Sequence, residues 1–298
     1  MDLTKRTVAV TGASGMLGVY LCRALLKRGC KVIGVVRNPE KAAFLAREGV
    51  VFRKADLTDR AALTEAFRGT DAVISNAALF NVRNQKWADN YQANKEGTEN
   101  VYEAAAAAKV RRMLQVSTFG IYQFKPGKRL IEESPQLDGS KRQGGAYRAT
   151  KQLSEGLAWA LAGKYRIDLT VLRPTGIYGA RDQNTMAIFR PLMKLPVSFA
   201  ATSIVPLVYA GDVAEAAAEA LANDASIGKA YNTGGGDESV GDFMRAWKRA
   251  AEKKLPLLVP VPAPLRFLVD NSRAERDLRF RNRPFEDALR EIFAEEHA

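Results

Sequence analysis

A chain of 298 residues, 47% apolar and 26% charged, is long enough to bury a substantial core and has the composition of a globular protein. No apolar run is long enough to cross a bilayer, and MDLTKR at the start has no apolar signal core behind it, so a cytoplasmic protein is expected. The net charge of +12 admits nucleic acid, an anionic surface or an anionic small substrate as partner. Many late arginines (Arg266, Arg273, Arg276, Arg279, Arg281, Arg283 and Arg290) alternate with Glu275, Asp277, Glu286 and Asp287 as on a solvated helical face. No aromatic residues are interleaved among them for stacking, so nucleic-acid binding is not expected. Cys22 and Cys30 suggest no disulfide framework. The lone histidine, His297, is penultimate; a Ser-His-Asp hydrolase or a His-ligated metal is therefore not expected, and acid–base chemistry falls to Tyr, Lys or carboxylates.

Strand and helix patterns alternate through the first two-thirds of the chain. Strands are expected at Thr7–Thr11, Lys31–Val36, Val50–Lys54, Ala72–Ser75, Arg112–Ser117 and Asp168–Arg173. Helices are expected between them at Met16–Lys27, Glu40–Glu48, Asp59–Phe67, Gln92–Ala108 and Ala146–Leu161. Short apolar strands alternating with helices imply an α/β fold, a doubly wound parallel sheet with helices on both faces. After Pro174 the alternation loosens. Helices at Asp212–Leu221 and Val240–Glu252, a strand at Ala230–Thr233, a proline-dense stretch LPLLVPVPAP and a last helix at Pro284–Glu295 suggest a smaller C-terminal lobe. The expected division is 1–175 for the sheet domain and 176–298 for the lobe, interleaved with the sheet rather than folding alone.

The stretch Val8–Gly18, VAVTGASGMLG, joins the first strand to the first helix through Gly12, Gly15 and Gly18. Glycines permit positive φ and close approach of a ligand to the backbone, and the helix start offers free N–H groups to a pyrophosphate. The spacing is G-x-x-G-x-x-G, a relative of the dinucleotide fingerprint. About 20 residues further on, at the tip of the second strand, an acid would bind a ribose 2′-hydroxyl. Val36 and Arg37 stand there instead, and an arginine can pair with a 2′-phosphate. Asp56-Leu57 and Asn76-Ala77-Ala78 follow the third and fourth strands, and a small Ala77 lets a ligand lie close to the backbone.

Tyr147 and Lys151 are i and i+4 on one helix and so share a face. A phenol titrates near 10, about three units too high for a proton shuttle at neutral pH, and a nearby ammonium would lower it. Ser117 and Thr118, ending the preceding strand, could hold a substrate oxygen.

These residues resemble the extended short-chain dehydrogenase/reductases of the NAD-dependent epimerase/dehydratase type. The resemblance rests on TGASGMLG, Asp56-Leu57, Asn76-Ala77-Ala78, Asn94 with Gly97-Thr98, Ser117-Thr118-x-x-x-Tyr122 and Tyr147-x-x-x-Lys151. It continues through Leu172-Arg173-Pro174-Thr175-Gly176-Ile177-Tyr178-Gly179, Val208–Ala214 with Tyr209 where histidine is usual, and Tyr231–Gly235, so it covers nearly the whole chain. It implies a Rossmann-type sheet with a small C-terminal substrate lobe. It also implies that Tyr147 is the general acid/base, that Lys151 tunes it and binds the ribose, and that Thr118, with Ser117 beside it, holds the substrate oxygen. Gly12, Ser14, Gly15, Met16, Leu17 and Gly18 would line the pyrophosphate, Arg37, Asp56, Leu57 and Ala77 the adenosine side, and Pro174 and Ile177 the nicotinamide. Val36-Arg37 resembles the NADPH-using reductase branch, so NADP(H) is the preferred cofactor and NAD(H) the alternative. The implied function is hydride transfer between nicotinamide and a carbonyl or hydroxyl carbon of a small, anionic-or-neutral substrate, by a homodimer. The runner-up is a nucleotide-sugar epimerase or dehydratase with tightly bound NAD(P). A reading from another class is a redox-silent dinucleotide-binding regulator or structural subunit. One departure is that the chain after Pro264 is short and the substrate-lobe segment is trimmed, so no substrate is carried over.

Overall fold

The computed structural model describes residues 2–80, 86–125, 127–199, 202–251, 256–260 and 265–297. The expected helix end at Glu252, and Pro262 and Pro264 of the proline-dense stretch, lie outside these residues. In chain order the first part runs β1 (Thr7–Thr11), α1 (Met16–Lys27), β2 (Lys31–Val36), α2 (Ala43–Arg47), β3 (Val51–Lys54), α3 (Arg60–Phe67) and β4 (Ala72–Ser75). It continues with α4 (Trp87–Asn90), α5 (Gly97–Ala107), β5 (Arg112–Val116), β6 (Arg129–Leu130), α6 (Gly145–Tyr165) and β7 (Asp168–Pro174). Then come β8 (Gly176–Tyr178), α7 (Thr185–Leu192), β9 (Val197–Ser198), β10 (Leu207–Tyr209), α8 (Ala210–Ala222) and β11 (Ala230–Thr233). The last elements are α9 (Val240–Ala251), β12 (Leu257–Leu258), β13 (Leu268–Val269), α10 (Ser272–Leu278) and α11 (Phe285–His297).

Seven strands form one parallel sheet in the order β11-β7-β5-β4-β1-β2-β3. β4 and β5 are buried along their whole length, as strands covered by helices on both faces must be. One face packs on α1, α8, α9 and α11 through residues such as Leu21, Leu25, Val213, Phe243 and Ile292. The other packs on α3, α5 and α6 through Leu63, Phe67, Tyr102, Ala105 and Ala158. This is the Rossmann-type fold expected from the alternation. The order reverses between β1 and β4, and a crevice opens there at the carboxyl ends of the strands.

Three differences from the sequence reading have physical causes. The helix expected from Gln92 begins earlier, at Trp87, and passes through a π-helical turn at Tyr91–Glu96 before α5. That turn buries Asn94, whose Oδ1 accepts from Leu79 N at 2.7 Å and whose Nδ2 donates to Thr150 Oγ1 at 3.1 Å. A π turn widens the helix at a site where a side chain serves another element. Second, α6 runs on past Leu161 to Tyr165 and ends at Arg166 in the left-handed conformation. Third, β8, β10, α7 and α10 had no expected counterpart. Two are strands of three residues, too short for a periodic signal, and α7 carries Pro191 inside it. The strand expected at Ala230–Thr233 is β11, which pairs with β7 and extends the main sheet. Several late arginines, expected on a solvated face, bind carboxylates of other elements: Arg273 with Glu133, and Arg283 with Asp212 at 2.7 Å. Among the described residues no helix is long and apolar enough to cross a membrane.

Candidate active site

At the head of the crevice, Gly12 takes φ +68°, and a Cβ built there would come 2.9 Å from Ala77 Cα. Both the left-handed conformation and the close crossing of β1 and β4 tips therefore require glycine. Thr11 ties the tips together, its Oγ1 accepting from the amides of Asn76 at 3.0 Å and Ala77 at 3.1 Å. Gly15 caps α1 without a side-chain bond, so the first-turn N–H groups keep no side-chain partner. Gly12, Ser14, Gly15, Met16 and Leu17 line a cleft of about 1030 Å³. Gly18, expected among the ligand-lining residues, does not line it. A Cβ there would strike Gly12 O and Ala13 Cα, so this glycine serves the packing of the turn against α1.

Arg37 stands at the tip of β2, 83% exposed, with its Nε 3.8 Å from Asp56 Oδ2. Asp56 is held below the ordinary carboxylate range, first by the Thr58 amide at 2.9 Å and then by the Thr58 hydroxyl and Arg37. Arg37, Asp56, Leu57 and Ala77 line one end of the cleft, and Ser117, Thr118, Tyr147, Lys151, Pro174 and Ile177 the other. The structure thus brings every expected site residue except Gly18 to one cleft.

At the far end, Tyr147 and Lys151 sit on α6 beside the end of β5. The Thr118 hydroxyl lies close enough to the Tyr147 phenol to favour its ionised form. Thr118 Oγ1 also accepts from Gly120 N at 3.1 Å, which fixes its rotamer. Lys151 is buried and its Nζ donates to Val116 O at 2.7 Å. Ser117 Oγ is buried without a hydrogen-bond partner among the described residues.

The electrostatics differ from the expectation. Burial pushes the Tyr147 phenol up to about 12, with the Thr118 hydroxyl only partly opposing it. Burial pushes Lys151 down to about 8, with Glu155 opposing. In the protein alone, then, the ammonium does not lower the phenol, because Nζ is turned to the Val116 carbonyl and desolvation dominates both groups.

Sequence reading missed several residues here. Glu155, one turn beyond Lys151, forms a buried pair with Arg173, whose Nε lies 3.1 Å from Glu155 Oε1. Arg173 donates to Tyr122 Oη at 2.8 Å, and Tyr122 donates to Asn232 Oδ1 at 2.7 Å, so α6, β7, β11 and the turn after β5 are clamped together. Arg173, Tyr122 and Asn232 appear in the sequence only as members of longer motifs, and Glu155 in none. Phe80, Phe119 and Phe124 line the cleft as well, Phe80 packing on Tyr147 with ring centroids 4.6 Å apart. Phe80 and Phe124 lie on loops and Phe119 opens a three-residue 3-10 turn, where no periodicity marks them.

Known proteins are similar to this chain in sequence and in fold. The chain is 32% identical over 193 residues to cinnamoyl-CoA reductase 2 of Medicago truncatula, covering 61% of this chain and 56% of that protein. It is 35% identical over 173 residues to 4-hydroxy-2-methyl-3-oxo-4-farnesyl-3,4-dihydroquinoline-1-oxide ketoreductase of Stigmatella aurantiaca, covering 58% and 51%. The chain thus spans about half the length of these relatives. A UDP-glucose-4-epimerase structure from Stenotrophomonas maltophila superimposes with a TM-score of 0.84 at 22% identity, over 98% of this chain and 100% of that one, which shows a shared fold. The family model for NAD dependent epimerase/dehydratase matches residues 8–234, and with the glycine turn and the Tyr147–Lys151 helix at one cleft, the chain belongs to that family.

Proposed function

We propose that this protein is an NADP(H)-dependent oxidoreductase of the extended short-chain type, interconverting a carbonyl and a hydroxyl group. The observation that carries this reading is the joining of Tyr147, Thr118 and Lys151 at one end of a cleft whose other end is the glycine turn. The residues present fit a dinucleotide. Gly12 and Ala77 bring the β1 and β4 tips together with almost no side chain between cleft and backbone, the α1 start keeps its N–H groups for a pyrophosphate, and Ser117, which lines the cleft, has a buried Oγ without a partner among the described residues. The cofactor would supply or accept the hydride. Of this chain's residues, Thr118 would hold the substrate oxygen and Tyr147 would give it a proton or take one. Lys151, released from Val116, would bind ribose hydroxyls and favour the phenolate. Phe80, Phe119 and Phe124 would exclude water from the reacting carbon and suit a flat apolar body.

The relatives named above as reductases support this reading. The nucleotide-sugar epimerase reading ranks second, since Arg37 rather than an acid occupies the β2 tip. A division into a sheet domain, 1–175, and a substrate lobe, 176–298, follows from the same picture, with β11 returned to the sheet. The two buried free cysteines suit a cytoplasmic setting. α5 and α6 pack side by side on one face, which supports a two-fold dimer through them; a monomer mass in light scattering would refute that. The function itself is tested by titrating the protein with NADPH and NADH, then following loss of the reduced-nicotinamide absorbance across a panel of aldehydes and ketones. Binding with turnover of at least one carbonyl supports the reading, and absence of NADPH and NADH binding refutes it.

A further inference from the structure

Arg148 directly follows Tyr147 and lines the same cleft. Its Nε donates to Gly120 O at 2.6 Å and its Nη2 to Tyr122 O at 2.8 Å. The guanidinium carbon lies 4.3 Å from the centroid of the Phe124 ring. Gly144, at φ +74°, makes room for it, since a Cβ there would come 3.0 Å from that carbon. The group is therefore fixed in place, yet its charge is unanswered. Nη1 takes no acceptor among the described residues, and burial lowers the pKa of the guanidinium with no carboxylate acting the other way. Arg173, Arg283 and Arg28 each meet a carboxylate, whereas Arg112, which like Arg148 is held by carbonyls, lies outside the cleft and has two hydroxyls besides. Two carbonyls take hydrogen bonds and an aromatic face lies beside the group, but no anion among the described residues neutralises this half-buried cation.

We propose that Arg148 is a specificity residue that receives an oxyanion of the substrate, a carboxylate or phosphate borne on a flat apolar body near the reacting carbonyl. The position follows from one short turn. Gly120 gives its carbonyl to Arg148 and its amide to Thr118 Oγ1, so the guanidinium and the hydroxyl that would hold the carbonyl oxygen are both tied to Gly120. The flat body follows from Phe119 and Phe124, whose ring centroids are 5.2 Å apart beside the guanidinium. The inference rests on the oxidoreductase reading for what the cleft does, but not for what Arg148 binds.

The test is calorimetric titration with benzoate, phenyl phosphate and neutral benzamide, each with NADPH present and absent. At least one anion is expected to bind the wild type about tenfold more tightly than benzamide, as one charge-assisted contact implies, and the tighter of the two identifies the group. Arg148→Met is expected to erase that advantage and Arg148→Lys to keep part of it, with benzamide bound alike by all three proteins. Anions bound no more tightly than benzamide, or an advantage kept in Arg148→Met, overturn the proposal. A merely structural Arg148 would weaken all three ligands together, which also overturns it. Failure of the oxidoreductase reading appears separately, as absence of NADPH binding, while the cofactor-free titrations still report on Arg148.

Discussion

The two ends of the cleft are built on opposite plans. At the Gly12 end the wall is main chain: a left-handed glycine, an uncapped helix start and a small Ala77, with one side chain, Arg37, standing out in solvent. At the Tyr147 end the wall is side chains taken out of water. Ser117, Thr118 and Lys151 are all less than a tenth exposed, and a buried Glu155–Arg173–Tyr122–Asn232 network backs them. The first end depends on space and backbone angle, the second on desolvation and on partners brought from distant parts of the chain. Substitutions should therefore separate them: at the first end the main expected effect is on cofactor affinity, and at the second on turnover, stability and pH response.

The sharpest separation is expected from Tyr147→Phe. The ring still packs on Phe80, and the phenol's partner Thr118 keeps its bond from Gly120. Turnover should fall about 10²–10⁴-fold, the range for losing a general acid/base, with NADPH affinity unchanged in calorimetry. Full activity in this variant on an identified substrate would assign the proton to another residue. Next comes Glu155→Ala, which leaves Arg173 buried beside an empty space. Breaking one side of a buried pair costs about 3–5 kcal/mol, so denaturant unfolding should show a loss of that size. A loss near zero would mean that the network does not hold the proton end in place.

Lys151→Met tests desolvation directly. Burial holds this ammonium near 8 against an ordinary 10.5. Between those values the unfolded chain binds a proton that the folded one does not. The penalty is therefore complete below pH 8 and fades as pH rises towards 10.5. Removing the charge should stabilise the cofactor-free protein at pH 7 by about 2 kcal/mol, after allowing for the lost bond to Val116, and the gain should shrink towards pH 10. Paired urea titrations at the two pH values read both numbers. The same variant should lose turnover and cofactor affinity, the trade expected where a destabilising charge is kept for chemistry. A variant less stable than wild type at pH 7 would show that Lys151 is held charged by its surroundings.

The same contrast decides what the sequence disclosed. The sheet was legible because short apolar strands alternate with helices, and the Gly12 turn because glycine at a strand–helix junction has few other uses. Tyr147 and Lys151 could be paired because helical spacing is local. Gly18 was misplaced because a glycine needed for backbone packing and one needed for a ligand look alike in a string. For the protein alone the Tyr147 shift runs opposite to the one expected for a related reason: spacing shows that Lys151 is near, but not that its ammonium turns to Val116 or how much water both groups lose. Glu155, Arg148 and the three cleft phenylalanines owe their surroundings to residues tens of positions away, and no local pattern carries that.

The smallest effect is expected at Arg37, because it lies in water. Its contact with Asp56 is 3.8 Å long and its side chain is 83% exposed, so in the protein alone the pair contributes little, about 0–1 kcal/mol. Little is lost when the guanidinium leaves Asp56, and a 2′-phosphate of two negative charges is a stronger partner than one carboxylate. NADPH should then bind more tightly than NADH by about 1–2 kcal/mol at low salt, and the margin should narrow as salt is added, since an exposed contact is screened. Arg37→Asp should reverse the preference, with two carboxylates then facing the phosphate position and a ribose hydroxyl finding an acceptor. Arg37→Ala should bring the two cofactors close to equal. Equal dissociation constants in the wild type, or a preference untouched by Arg37→Asp, would move cofactor selection from the β2 tip to the rest of the cleft wall. Turnover per bound cofactor should be the same in all three proteins, because nothing at this end touches Tyr147.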